Sequence, residues 1–408
     1  MNDKSCFVNP YNNITSSTGL NILNDTRDSI SDKFQDKLGK YKSEKILHLT
    51  SNLEKDIFYN ETVYTGSSGI ALLYLKDSFD KNECPELLQV YKALGYIDVK
   101  HLKERCISFL CGDSGPLAIA IVISYKLGTK RPECLPEPLH LVQSLLINLS
   151  SLLECSPDEL LYGKSGYLYA LLFVNKFTNS DVIPENHIKK VIIAILKSGK
   201  LGAHQMKSES PLMWEWHDKK YLGAAHGVAG ILYILLQARC YIQSEDMQKF
   251  IKPTLDWLLN QRFPSGNFPS SLESKSRDRL VQWCHGAPGF VPLCVLAYKV
   301  FEDEKYLKIA EESGEVIWNR GLCSKGYSIC HGVSGNAYAF LELYQATMKP
   351  LHLYRACCFM EWCMSERTGT EMHPPDRPAS LFEGLVGRIY LAMDIARPLN
   401  AKFPAMCL

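Results

Sequence analysis

A Gly-x-x-Gly pair followed by an apolar run recurs seven times, at Gly66–Gly69, Gly112–Gly115, Gly163–Gly166, Gly227–Gly230, Gly286–Gly289, Gly332–Gly335 and Gly384–Gly387. The first glycines of successive pairs stand 46 to 64 residues apart. Repeats of this length mark solenoids, propellers and helical arrays, in which each unit buries its apolar face on its neighbours. A single pair means little, because glycine punctuates turns everywhere. Seven in register, each with the same sequel, leave few folds open.

That sequel reads as helix. Residues Gly166 to Lys176 and Gly230 to Ala238 are apolar nearly all round and rich in Leu and Ala, which suits a buried inner helix better than a strand. Polar, amphipathic stretches such as Asp303 to Trp318 and Leu351 to Trp362 lie between the pairs and read as outer helices. Each unit is then an outer helix, a turn and an inner helix. Seven units predict an all-α fold, an (α/α)7 toroid with a double ring of inner and outer helices. Its glycine turns gather at one end of the axis, where glycine permits close backbone approach and positive φ. On this reading residues 1–408 form a single domain, with 1–60 as an amino-terminal arm and first outer helix. The 46% apolar content of the 408 residues is enough to fill such a core.

The charge balance narrows the partners. A net charge of +1 and no basic run argue against nucleic acid. The longest apolar stretches, such as Pro116 to Tyr125, fall well short of the ~20 residues that span a bilayer. Met1-Asn2-Asp3-Lys4 opens neither a signal peptide nor a myristoylation site. The fifteen cysteines are odd in number and scattered, and read as reduced thiols, mostly core fillers, of a cytoplasmic protein. Peripheral attachment is the only membrane association left open.

Two cysteines stand apart. Cys284-His285 and Cys330-His331 each run directly into a glycine turn, in consecutive units. Cys284, Cys330 and His331 offer two thiolates and an imidazole, a tetrahedral zinc set with one position open, as in catalytic rather than structural sites. No Cys-x-x-Cys supports this locally, so the inference rests on repeat equivalence; two buried cysteines beside helix-capping histidines are the alternative. In the same register, His226 precedes Gly227, where an imidazole suits proton transfer near neutral pH. Asp158 and Glu159 precede Gly163, and Glu383 precedes Gly384, as catalytic, capping or bridging carboxylates.

Taken together, Trp283-Cys-His-Gly-Ala-Pro-Gly, Cys330-His-Gly with Ser334-Gly-Asn-Ala-Tyr, Gly223-Ala-Ala-His-Gly and Ser380-Leu-Phe-Glu-Gly resemble the LanC-like proteins, eukaryotic relatives of the bacterial lanthionine cyclases. The resemblance runs from Asn9-Pro10-Tyr11 through Leu110-Cys-Gly-Asp-Ser-Gly-Pro-Leu-Ala to Phe403-Pro-Ala. It implies the seven-unit toroid and one zinc ion per chain, held by Cys284, Cys330 and His331. In the animal members it implies glutathione as the thiol, hence a zinc-dependent glutathione transferase. The thiolate adds to the β-carbon of dehydroalanine or dehydrobutyrine in a peptide or protein, leaving a thioether. His226 would return the proton at the α-carbon, and Glu159 stands where the cyclases carry an Asp. The resemblance further implies glutathione contacts at Lys325 and the loop His373, Pro374, Pro375, Asp376 and Arg377. Here the chain departs from its relatives: His373 and Ser5 stand where glutathione-binding members carry arginine, with Arg377 and Lys4 as the nearby cations.

Two other classes remain. A non-enzymatic glutathione-binding adaptor or redox-signalling protein would use the proline-bearing segment Pro374–Pro378 to dock a signalling domain. Other α/α toroids are disfavoured: prenyltransferase β subunits mix Asp, Cys and His as ligands, and toroidal glycosidases need a carboxylate pair that does not stand out at the turns.

Overall fold

The computed structural model describes residues 5–12, 21–52, 60–80, 93, 95, 106–128, 139–178, 182–274, 276–365 and 374–408. Among them regular structure is helical, with three isolated antiparallel bridges. The described residues contain thirteen α-helices of eight residues or more, and each of the seven glycine turns opens one of them. The chain groups into two compact units.

One unit takes residues Phe58–Tyr221, Ala225–Asn260 and Ala405–Leu408. Its helices are α2 (Ser67–Asp80), α3 (Ser114–Gly128), α4 (Leu139–Asn148), α5 (Lys164–Phe177), α6 (Glu185–Gln205), α7 (Val228–Gln237) and α8 (Lys252–Leu259). The post-turn helices pack in sequence, α2 on α3, α3 on α5 and α5 on α7, while α4, α6 and α8 cover α3, α5 and α7. Burial follows the sequence pattern. Every residue of α5 from Lys164 to Val174 is buried, whereas α6 buries Ile188, Val191, Ile192, Ile195, Leu196, Gly199 and Ala203, a single stripe at helical spacing.

The other unit takes Met1–Ile57, Leu222–Ala224 and Gln261–Pro404. It holds α1 (Asp32–Asn52), α9 (Ala287–Phe301), α10 (Glu304–Arg320), α11 (Val333–Thr347), α12 (Pro350–Met364) and α13 (Leu385–Ala396). Again the post-turn helices α9, α11 and α13 pack in succession, with α10 on α9, α12 on α11 and α1 on α13. One expectation needs correction. The stretch Leu351 to Trp362 reads as half-solvated, yet α12 is buried at His352–Met360, Trp362 and Cys363. Its buried cation is paired with a carboxylate at the surface: Arg355 bonds Glu315, whose side chain is 56% exposed, at 2.6 Å and lies over the Trp318 ring at 5.0 Å.

The same helix buries His352, whose two ring nitrogens have no hydrogen-bond partner among the described residues. Burial first, then the cation of Arg355 (with Lys349 in the same sense), pushes its imidazole down to about 4; Glu311 and Glu315 act against the shift. A depressed histidine stays neutral when folded but takes up a proton when unfolded, so stability is intact above the ordinary histidine range and falls as pH drops toward 4. The shift corresponds to about 3 kcal/mol. His352→Phe should flatten the fall in thermal midpoint between pH 7 and pH 4.5; a midpoint falling as steeply in the variant would remove His352 from that effect.

The glycines earn their places mainly through room rather than φ. Gly163, Gly227, Gly332 and Gly384 all have negative φ, and of the seven first glycines only Gly286, at +112°, needs the left-handed side. At Gly115, Gly166, Gly289, Gly335 and Gly387, second glycines of five of the pairs, a Cβ would strike a backbone carbonyl. At Gly387 it would meet the Leu381 carbonyl and, at 2.8 Å, the side chain of Ile329 in the preceding turn. Such contact between turns is what a repeat with closely stacked inner helices demands.

Candidate active site

The glycine turns are linked by backbone hydrogen bonds whose acceptors stand two residues before the first glycine and whose donors stand one to three before it. In the first-described unit Tyr64 N–H donates to Leu110 O, Cys111 N–H to Leu161 O, and Leu160 N–H to Ala225 O, at 2.9–3.3 Å. In the other, Cys284 N–H donates to Cys330 O (3.2 Å) and Cys330 N–H to Phe382 O (3.0 Å). Register in the repeat thus becomes adjacency in space, which brings chemically useful residues of successive turns together.

The ladder sets Cys284 beside Cys330. Both are nearly fully buried, and His331 is half-buried. The neighbouring Cys284 thiol, followed by burial, holds the Cys330 thiol well above its ordinary range, while His331 works against the shift. Conversely, the Cys330 sulfur lifts the His331 imidazole above its usual value. Cys284 donates to Gln282 Oε1 at 3.5 Å, and His331 N–H donates to Ser328 Oγ at 3.3 Å. Cys330 therefore touches both of the other predicted ligands. Among the described residues no three His, Cys, Asp or Glu side chains are drawn into one metal-sized cluster. The donor set itself, two buried sulfurs and an imidazole on adjacent turns, suits zinc.

Of the predicted glutathione contacts, Lys325 acts on His331 directly, while Asp376 and Arg377 act on Glu383, which in turn acts on His331. Lys325 is exposed, and its cation acts on both His331 and Cys323. Pro374, Pro375, Asp376 and Arg377 are exposed as well. Asp376, Arg377 and His331 all act on Glu383, whose carboxyl is raised chiefly by burial. His373 lies outside the described residues. Ser5 is bound at the same edge: its carbonyl accepts from Ser324 N–H at 3.0 Å, and its hydroxyl reaches Arg279 O at 3.5 Å.

In the other unit the two predicted catalytic residues meet. His226 Nδ1 lies 2.7 Å from Glu159 Oε2. Glu159 is buried and also accepts from Leu161 N–H (3.0 Å) and Tyr162 N–H (2.6 Å). A carboxylate accepts and does not donate, so the Nδ1–H of His226 points at Glu159 and Nε2 is the nitrogen turned away from it. Asp158, the neighbouring carboxylate, is engaged elsewhere: it pairs with Lys164 at 2.8 Å and accepts from Ser198 at 2.6 Å.

Aromatic residues wall this histidine, and they are absent from the sequence-based site. The Tyr162 ring lies nearly parallel to His226 (centroids 6.1 Å, 4°), with Trp216 on Tyr162 (6.1 Å, 24°) and Tyr221 at 5.7 Å from His226. Trp216 is held by a two-residue turn in which His217 and Asp218 both have positive φ and Trp216 and Lys219 exchange backbone hydrogen bonds. Backbone forced into that region by ordinary residues is found where a side chain must be aimed. Tyr162 carries a sequence signal, its position just before Gly163; Trp216 carries none, since it comes from a turn between units.

Comparison with known proteins decides the family. Residues 57–408 match the Lanthionine synthetase C-like protein family. The chain belongs to that family. Glutathione S-transferase LANCL1 of Danio rerio is 41% identical over 411 residues, covering 99% of each chain. LanC-like protein GCL1 of Arabidopsis thaliana is 34% identical over 359 residues, covering 84% of this chain and 80% of its own. Nisin cyclase is similar in structure, with a TM-score of 0.62 at 17% identity over 92% of this chain and 99% of its own. At that identity the likeness concerns the fold, and it bears out the all-α toroid expected from the repeat. In this chain the ladder of glycine turns is the frame on which the predicted site residues hang.

Proposed function

We propose that the protein is a glutathione transferase that uses zinc to add the glutathione thiol to electrophilic alkenes, chiefly dehydroalanine and dehydrobutyrine residues of peptides or proteins. The observation that supports this reading is the backbone hydrogen bond that sets Cys284 beside Cys330, the residue next to His331, in a chain 41% identical to a relative named for glutathione transfer. In this reading Cys284, Cys330 and His331 hold the metal. When bound, zinc favours the thiolate over the thiol, which has a free pKa of about 8.5 and is mostly protonated at neutral pH. Lys325, with Arg377 nearby, pairs with glutathione carboxylates. Sulfur attack on the β-carbon places negative charge on the α-carbon and its carbonyl. His226 delivers the proton there, and Glu159 holds the imidazole in position. The aromatic wall of Tyr162, Trp216 and Tyr221 offers flat faces beside that imidazole to a planar unsaturated amide.

The test is direct: purified protein, glutathione and a dehydroalanine peptide, with mass spectrometry for the thioether and metal analysis on the same sample. Enzyme-dependent adduct with one zinc per chain is the expected result. Lys325→Ala should raise the KM for glutathione ~10-fold, the scale of one lost charged contact, with little change in kcat. Zinc without enzyme-dependent adduct would instead favour the glutathione-binding adaptor.

A further inference from the structure

Cys6 and Cys323 face one another across an isolated antiparallel bridge. The hydrogen bonds of that bridge flank the pair: Ser324 N–H donates to Ser5 O at 3.0 Å and Phe7 N–H donates to Leu322 O at 2.8 Å. The cysteines are therefore the non-hydrogen-bonded pair of the ladder, where Cα atoms approach to about 4.5 Å and facing side chains come closest. That spacing falls inside the ~4.4–6.8 Å range bridged by disulfides. Both residues are thiols in the structure. Cys6 acts electrostatically on Cys323, as expected for sulfurs on one side of the bridge.

We propose that Cys6 and Cys323 form a reversible disulfide, with a small disulfide such as oxidised glutathione as oxidant. The two thiols are not equivalent. Cys323 is buried, donates to Val281 O at 3.0 Å and accepts from Asn336 Nδ2 at 3.3 Å. Burial pushes its thiol up to about 12, so it is a poor first nucleophile. Cys6 is only partly buried and is the point of entry. Its thiolate attacks one sulfur of oxidised glutathione, forming a mixed disulfide and releasing one glutathione. Cys323, on losing its proton, attacks the Cys6 sulfur and releases the second. Two protein thiols are oxidised by two electrons, one glutathione disulfide is reduced to two thiols, and the protons pass to the departing thiolates. Closure rather than entry limits the rate, because it requires the buried thiol to ionise. Val281 O keeps a donor afterwards, Asn336 Nδ2 at 2.9 Å, so no buried carbonyl is orphaned.

The bond ties the amino-terminal segment to the loop that leads, two residues on, to Lys325. It is thus a modification site whose state follows the ratio of oxidised to reduced glutathione. The proposal stands on the bridge geometry and is independent of the transferase reading.

The experiment uses the full chain, reduced and then equilibrated with mixtures of reduced and oxidised glutathione, acid-quenched, alkylated and mapped without reductant. The peptides bearing Cys6 and Cys323 should appear linked, in a fraction that rises with oxidised glutathione and reverses with excess reduced glutathione. Cys6→Ser should abolish the linked species and leave Cys323 resistant to alkylation until the protein is denatured. Cys323→Ser, if it folds, should accumulate glutathione on Cys6. A wild-type protein that holds glutathione on Cys6 indefinitely without the link overturns the proposal. So does one in which both thiols stay unmodified, or in which Cys323 links to another cysteine.

Discussion

Cys284→Ala or Cys330→Ala leaves a folded protein that no longer retains zinc and no longer accelerates glutathione addition. Each change removes one of three proposed donors from a set that has no spare. Loss of a supporting group around a metal costs 10–100-fold in affinity, so loss of a ligand costs ~100-fold or more. Structure should survive, because each cysteine contributes one small buried side chain to a unit with many other buried contacts; about 1–2 kcal/mol is the expected cost. Cys294→Ala is the control. Its thiol is fully buried in α9 in the same unit and pushed up to about 12 by burial, so it should lose stability alone. Metal analysis after dialysis, beside thermal melting, separates the cases. Stoichiometric zinc in either Cys284→Ala or Cys330→Ala would mean the ligands lie elsewhere.

The fold was legible to the extent that it rests on backbone constraint. The seven glycine pairs are visible because a Cβ at Gly387 would strike a carbonyl and the Ile329 side chain of the neighbouring turn, and no other residue relieves that. Inner helices such as α5 are visible because burial all round leaves an apolar run. Burial by partnership is harder to see. Arg355 and His352 make α12 look half-solvated, but Arg355 is buried against the Trp318 ring and reaches the half-exposed Glu315 carboxylate, and nothing in local spacing announces that.

The site divides along the same line. Cys284 and Cys330 can be paired by register, since equivalent positions on a ladder of turns become neighbours, and His226 is singled out by its matching place before Gly227. The pairing of Glu159 with His226 spans 67 residues and is decided by the ladder bond between Leu160 and Ala225, so sequence alone leaves Glu159 with an uncertain role. Trp216 and the Cys6–Cys323 pair fall outside the repeat. They depend on a strained turn and on a lone bridge, for which a single sequence holds no periodic signal.

Replacing His226 by Ala should slow thiol addition by ~100-fold or more while zinc content and glutathione affinity stay unchanged, the scale of a lost proton-transfer group. The geometry sharpens this expectation. With Nδ1 committed to Glu159 at 2.7 Å, the proton delivered to the α-carbon must come from Nε2. His226→Gln, which keeps a hydrogen-bonding amide but lacks a transferable proton near neutral pH, should therefore be nearly as slow as Ala. Glu159 acts only through the ring, as a positioning residue. Glu159→Gln keeps an acceptor for Nδ1–H but loses the charge that stabilises a protonated imidazole, and should lower kcat ~10-fold with KM for both substrates little changed. Because Glu159 also accepts from Leu161 and Tyr162, a structural defect is the rival explanation. A disturbed turn would shift the aromatic wall and raise the peptide KM; an altered imidazole would leave it and lower kcat alone. If His226→Ala turns over at the parent rate, the proton comes from another source and the Glu159–His226 pair is structural.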